Sequence, residues 1–326
     1  MAGSRPRRAA GNRNNPVKIL VTGGAGFIGS CVADRYLAAG WEVAVVDNLA
    51  TGRRDNVPAG ARLHELDIRD ASLADIVAAE RPDVISHHAA QMDVRISTTQ
   101  PAFDADVNII GSIRVIEAAL AAGVKKIIFA STGGAVYGEP DYIPVDEDCP
   151  ARPLSQYGCS KLAVERYLYL YAAQRGLSYV ALRYPNVYGP KQNPRGEAGV
   201  TAIFALRMLA GEPCTVYGDG TETRDYVFVD DVVAAHWLAA EKPFTGVVCV
   251  GSGVETTVPE LFGRLAALTG YKLAPRREPL RPGEIHRISI SGRRAKEVLA
   301  WEPRVGLDEG LGRLVDFLRV NGDRYR

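Results

Sequence analysis

The stretch VKILVTGGAGFIGS (17–30) constrains the fold of this chain more than any other. Val17 to Thr22 form a short apolar run, glycines follow at once, and a helical pattern continues through Ala39. Gly23, Gly26 and Gly29 recur at intervals of three, and Gly24-x-Gly26-x-x-Gly29 fits the same stretch. Between a strand and a helix, such glycines permit a tight turn and let the backbone approach a pyrophosphate, which the helix N-terminus stabilises. A glycine-rich turn without ligand is the plain alternative, and the strand and helix on either side favour the dinucleotide.

The second apolar run, WEVAVVD (41–47), ends in Asp47, roughly twenty residues after the loop as expected for a carboxylate on a ribose 2′-hydroxyl. A carboxylate there repels a 2′-phosphate, which favours NAD over NADP, although Arg53 and Arg54 could reach a phosphate. Asp67, after the third run, faces the adenine or caps a helix. Further apolar runs at 61–66, 83–89, 124–131 and 177–184 alternate with helical patterns near 72–80, 104–122 and 155–175. That alternation predicts an α/β fold, a Rossmann-type doubly wound parallel sheet.

After Tyr184 the alternation breaks in a loop rich in Pro, Gly and Asn (185–199). Helices are expected at 200–210, 229–240, 258–269 and 308–319, with strands at 215–218 and 246–250. The expected organisation is a disordered tail (1–15), a cofactor domain (16–184) with segments near 224–258 returning to it, and a smaller interwoven lobe (185–223 and 259–326) for the substrate.

Charge and cysteine content exclude several classes. The formal net charge is +1, but four arginines lie in the first fifteen residues, leaving −3 for the body and no reason to expect nucleic acid. No run of eighteen apolar residues occurs, so no membrane span is expected. Cys31, Cys149, Cys159, Cys214 and Cys249 are scattered without a C-x-x-C pair, which argues against zinc or a disulfide framework and for a reduced, cytoplasmic setting.

Tyr157 and Lys161, in YGCSK, share one face of a predicted helix. Tyrosine is a poor base at neutral pH, and a lysine cation beside a charged nicotinamide favours the phenolate. On its own the pair would read as a solvated helix face; the glycine loop in the same chain reverses that reading. Ser131 and Thr132 close the fifth predicted strand, at the sheet edge where ligands bind, and either could orient a substrate hydroxyl.

VTGGAGFIGS, DNLATG (47–52), LDIRD (66–70), HHAAQMDVRIS (87–97), STGGAVYGEP (131–140), YGCSK, LRYPNVYGP (182–190) and YGDGTETRDYVFVDDV (217–232) occur in that order. With these motifs the chain resembles the extended short-chain dehydrogenase/reductases, most closely the UDP-glucose 4-epimerases, from about Val17 to Trp301. The resemblance implies tightly held NAD, a UDP-sugar oxidised and re-reduced at C4, and a homodimer through the helices near 104–122 and 155–175, where Tyr167, Tyr169 and Tyr171 could contribute. It implies that Tyr157 is the base, that Lys161 contacts the nicotinamide ribose, and that Thr132 or Ser131, with Thr132 preferred, bonds the 4′-oxygen. It places Gly23, Gly26, Phe27, Ile28, Gly29, Asp47, Asn48, Asp67, Ile68, Ala89, Ala90, Gln91, Asn108 and Tyr184 along the cofactor. It places Asn186, Val200, Tyr217, Arg224, Tyr226, Arg281 and Glu284 on the UDP-sugar, with Arg224 and Arg281 on its diphosphate.

The departures sharpen the expectation. STGGAVYG holds one glycine more than many relatives, which is why two hydroxyls compete for one role. Dehydratases and decarboxylases of the superfamily carry an acid just before VYG, whereas Gly133, Gly134 and Ala135 cannot transfer a proton. Pro185 stands where an aromatic is usual, and Asn186 and Asn193 offer no cation to a sugar carboxylate, although Arg195 lies nearby. Ile288 matches a position where bulk limits the 2-substituent of the sugar. The alternatives are a 4-epimerase of UDP-N-acetylglucosamine or UDP-glucuronate, a nucleotide-sugar lyase, and a redox-sensing NAD-binding protein without catalysis.

Overall fold

A computed structural model describes residues 16–194, 199–279 and 285–325. In chain order, β1 (Lys18–Thr22), α1 (Phe27–Ala38), β2 (Glu42–Asp47), β3 (Arg62–Glu65), α2 (Leu73–Glu80) and β4 (Val84–His87) open the fold. Then follow α3 (Val94–Thr99), α4 (Pro101–Ala105), a π-helical turn (Asp106–Ile110), α5 (Gly111–Ala121), β5 (Lys126–Thr132), α6 (Gly133–Val136), α7 (Gln156–Arg175), β6 (Ser178–Tyr184) and β7 (Asn186–Tyr188). The remainder comprises α8 (Val200–Leu209), β8 (Thr215–Tyr217), β9 (Thr223–Arg224), β10 (Tyr226–Phe228), α9 (Val229–Glu241), β11 (Gly246–Cys249), β12 (Thr256–Thr257), α10 (Val258–Thr269), β13 (Arg276–Glu278), α11 (Arg293–Leu299) and α12 (Leu307–Asn321).

Seven parallel strands form the main sheet in the order β11-β6-β5-β4-β1-β2-β3, the Rossmann-type architecture expected. Strand alternation divides its core in two. Ile19, Val21, Val43, Val45, Ile128 and Ala130 point to one face and pack with Val32 and Tyr36 of α1 and Val232 and Ala235 of α9. Leu20, Ala44, Val46, Ile127 and Phe129 point to the other, towards α2, α5 and α7. Both faces are covered, so these strands read as unbroken apolar runs, and each buried Val, Leu or Ile contributes about 1.5–3 kcal/mol.

The chain runs β1-β2-β3 towards one edge, then crosses back to place β4 on the other side of β1. That reversal opens a crevice above the carboxyl ends of β1 and β4, the place where such sheets take ligands. The glycine loop leaves β1 at this point.

Beyond β6, α8, α10 and α12 form a layer beside three two-stranded ribbons, β7 with β10, β8 with β13, and β9 with β12. Leu261, Leu265, Leu311, Leu314 and Leu318 are buried there, and Phe204 meets Phe262 edge-on at 5.7 Å. The helix expected over 104–122 is three pieces, α4, the π turn and α5, because a wider turn intervenes that a 3.6-residue period does not reveal. The strand expected at 215–218 is β8, whereas α3, α6, α11 and the other ribbon strands are too brief to carry a period. The expected tail lies outside the described residues.

Candidate active site

The crevice is a cleft of about 410 Å³, lined from Gly23, Gly26 and Phe27 through Asp47 and Asp67 to Thr132, Tyr157 and Lys161. At Gly23 and Gly29 side chains do not fit. Gly23 has φ +67°, and a Cβ on it would lie 2.6 Å from the backbone nitrogen of Ala89; one on Gly29 would lie 2.3 Å from the Gly23 carbonyl. Gly26 precedes the first turn of α1, which has neither an acidic residue nor a side-chain cap, leaving its N–H groups to an anion.

Asp47 ends β2 at this loop and accepts hydrogen bonds from the backbone N–H of Ala25 (2.9 Å) and of Leu49 (2.8 Å). Burial pushes its carboxyl up, and the two N–H groups oppose that shift. Beside it, Asn48 donates to Asp67 at 2.9 Å, and the Arg69 guanidinium holds the Asp67 carboxyl down at about 2. Arg53 and Arg54, which left NADP open, are engaged with Asp55 and Glu65 and do not line the cleft. This wing therefore presents two carboxylates, which suit ribose hydroxyls and repel a 2′-phosphate.

The other wing begins at the end of β5, three strand spacings from β2, or about 14 Å, and continues to β6 beside it. That is the reach of an extended dinucleotide, so the cradle and the donor set fit NAD. Ser155 caps α7 by accepting from the Gly158 N–H at 3.1 Å. A Cβ on Gly158 would lie 2.4 Å from the Ala135 carbonyl, so the glycine inside YGCSK lets α7 press against α6. Lys161 is buried at 3% exposure, donates to the Ala130 carbonyl at 3.0 Å and stands 5.7 Å from the centre of the Tyr157 ring. Burial lowers its pKa to about 8, and the negative charges of Asp104 and Glu165 oppose that shift.

The two candidate hydroxyls separate cleanly. Ser131 donates to Glu165 at 2.6 Å, and Glu165 forms a buried ion pair with Arg183 at 2.6 Å. Thr132, at the junction of β5 and α6, lines the cleft, and no hydrogen bond of its hydroxyl is seen among the described residues. Tyr184 also lines the cleft, and its hydroxyl is 2.5 Å from His236 Nε2.

Ile28, Ile68, Ala89, Ala90, Asn186 and Arg224 line the same cleft. Gln91 and Asn108 sit behind it and bond each other through side chain and backbone, at 2.9 and 2.8 Å. Val200 and Tyr217 do not line it, and Tyr226 is buried beside Tyr188 in the core. Ile288 is likewise buried, packed with Val136 and Ile290 rather than facing the cleft. Arg281, Glu284 and Arg195 lie outside the described residues.

The sequence reading missed His88 and Gln192, both on the cleft wall, and the buried acids Asp104 and Glu165 behind Lys161. For Glu165 a signal existed, since it falls beside Val164 and Leu168 on the buried face of α7. All five cysteines are free. Asp219, Glu222 and His286 gather within 4.8 Å of one another away from the cleft, although Thr221 bonds both Asp219 and His286.

Residues 19–251 match the NAD dependent epimerase/dehydratase family. The chain is 44% identical to the UDP-glucose 4-epimerase of Mycolicibacterium smegmatis over 93% of its own length and 99% of the relative. Among solved structures it is similar to the Thermotoga maritima UDP-glucose 4-epimerase with UDP-glucose (47% identity, TM-score 0.92, covering 94% of this chain and 99% of the other). It is also similar to the Thermus thermophilus UDP-glucose 4-epimerase complex with NAD (45% identity, TM-score 0.89, 93% and 99%).

Proposed function

The chain belongs to the NAD-dependent epimerase/dehydratase family, and from that premise we propose that it interconverts UDP-glucose and UDP-galactose by reversible oxidation at sugar C4. Bound NAD supplies the two-electron oxidation and its reversal. Tyr157 takes the proton of the 4-hydroxyl and later returns it, Lys161 favours the phenolate, and Thr132 hydrogen-bonds the 4-oxygen. The 4-keto sugar turns in the cleft and is reduced on its opposite face, which inverts C4. Asn186 and Arg224 hold the UDP portion, together with Arg281. Residues 185–223 and 259–326 act as the sugar-nucleotide lobe against the cofactor domain.

One observation carries the choice of epimerase over lyase. Gly134 and Ala135 form the wall beside Thr132, and the carboxylates among the described lining residues, Asp47 and Asp67, stand on the opposite wing. Elimination or decarboxylation needs a further acid or base beyond C4, and among the described lining residues no carboxylate stands on the sugar wing. Incubating the purified protein with UDP-glucose, without added NAD, should yield UDP-galactose by proton NMR. Release of water or CO2 from a UDP-sugar would sink this reading. UDP-N-acetylglucosamine and UDP-glucuronate run in parallel decide the sugar.

Thr132→Val should lower kcat about 10²-fold with little change in Tm, as for loss of one oriented hydrogen bond at the reacting oxygen. Ser131→Ala should instead leave kcat near wild type and destabilise the protein by about 1–3 kcal/mol, since Glu165 loses a buried donor. The reverse pattern would reassign the hydroxyl.

The active unit is a homodimer. Phe103, Ile110, Tyr167, Tyr169 and Leu170 are exposed on the helical run 101–121 and on α7, an apolar surface that a second copy would cover. Light scattering should give twice the chain mass of 35.2 kDa, and Tyr169→Glu should shift it towards the monomer. No helix among the described residues is long and apolar enough to cross a membrane.

A further inference from the structure

Asp104 is fully buried at the end of α4, yet no cation pairs with it among the described residues. Its Oδ1 accepts from Ser97 Oγ (2.5 Å), Asn108 Nδ2 (2.9 Å) and, more loosely, Gln91 Nε2 (3.5 Å); its Oδ2 accepts from Ser160 Oγ (2.5 Å). Four polar groups converge on its two oxygens, an arrangement that suits a carboxylate accepting from each of them. Ser160 is the residue before Lys161, and the π turn carries Asn108 round to the same carboxylate. Thus one buried charge ties α3, the π turn and the Gln91 loop to the helical turn bearing Tyr157 and Lys161.

We infer that Asp104 is a positioning residue for the reaction, supplying the uncompensated negative charge that keeps the buried Lys161 cationic. This rests on the function proposed above. Glu165, the other acid near Lys161, has its charge balanced by Arg183 at 2.6 Å. His87 and His88 are kept neutral by burial, which holds His88 down at about 3. Tyr157 is the remaining ionisable partner on α7. On the other packed elements the charges pair outward, Arg95 with Asp93 and Asp106 with Arg69. Arg114 and Glu117 of α5 are exposed, and Lys126, at the far end of β5, bonds to the carbonyls of Ala239 and Lys242. Asp104 is left to offset the desolvation of Lys161.

The sign follows from linkage. Activity needs the Lys161 cation and falls as pH rises through its pKa. Removing the nearby anion lowers that pKa, so the alkaline limb of kcat moves to lower pH. The test measures kcat against pH with UDP-glucose for wild type, Asp104→Asn, Asp104→Ser and Ser160→Ala, together with bound NAD after denaturation. Both neutral variants should keep NAD and shift the alkaline limb down by about one pH unit. Ser160→Ala, which cuts the tether and keeps the charge, should leave the limb in place. An unmoved limb in an NAD-loaded neutral variant overturns the inference, as does an equal shift in Ser160→Ala. Loss of NAD from both neutral variants also overturns it, because Asp104 would then be a folding residue. A wild type that converts no UDP-hexose overturns the proposed function itself, and this inference with it; turnover beside an unmoved variant overturns only the inference.

Discussion

Tyr157→Phe should lower kcat about 10³-fold while leaving bound NAD and Tm close to wild type. The size follows from its place as the proton acceptor for the sugar hydroxyl, since a positioned general base contributes roughly 10²–10⁴-fold. The selectivity follows from geometry. The Tyr157 ring lies on the cleft wall beside the Lys161 ammonium, while the cradle is built from Gly23, Gly29 and Asp47 at the far end of β1 and β2. Phenylalanine keeps the ring and removes only the oxygen. The variant is checked by turnover of UDP-glucose and by the absorbance of NAD released on denaturation. Turnover within a few fold of wild type would remove Tyr157 from the role of base.

Arg183→Met should produce the largest loss of stability. The Arg183 guanidinium is bidentate on Glu165, with Nε 2.9 Å from one oxygen and Nη2 2.6 Å from the other, and Nη1 donates to the Tyr137 hydroxyl at 2.8 Å. Both members of the pair are almost wholly buried. Removing one partner strands a charge in a low-dielectric interior, which costs about 3–5 kcal/mol. For a chain of this size that lowers Tm on the order of ten degrees. Arg183→Met combined with Glu165→Gln should recover much of the loss, because the stranded charge is gone. Differential scanning calorimetry of the single and double variants decides this. A double variant as unstable as Arg183→Met alone would show that packing, not charge, dominates at this position.

Much of the sheet was legible because its strands are buried on both faces. Runs such as EVAVVD and KIIFAST need no partner to be recognised, and Asp47 and Thr132 mark their carboxyl ends. The glycine loop was legible for a steric reason, since Gly23 and Gly29 have no room for a side chain. What sequence could not decide was which polar groups are spent on the fold. Ser131 and Thr132 are adjacent and chemically alike; only the position of Glu165, thirty-four residues away, shows that Ser131 is engaged. Tyr226 falls in a motif rich in functional residues, yet its strand turns it into the core. Asp104 drew no role from the sequence, because the π turn that follows it and brings Asn108 to its carboxylate leaves no trace in the spacing.

When C4 is oxidised and re-reduced inside one cleft, the same hydrogen returns to the carbon it left. UDP-glucose carrying deuterium at C4, converted in ordinary water without added NAD, tests it directly. The expected product is UDP-galactose that keeps its deuterium at C4. Product with hydrogen from solvent at that carbon would contradict it.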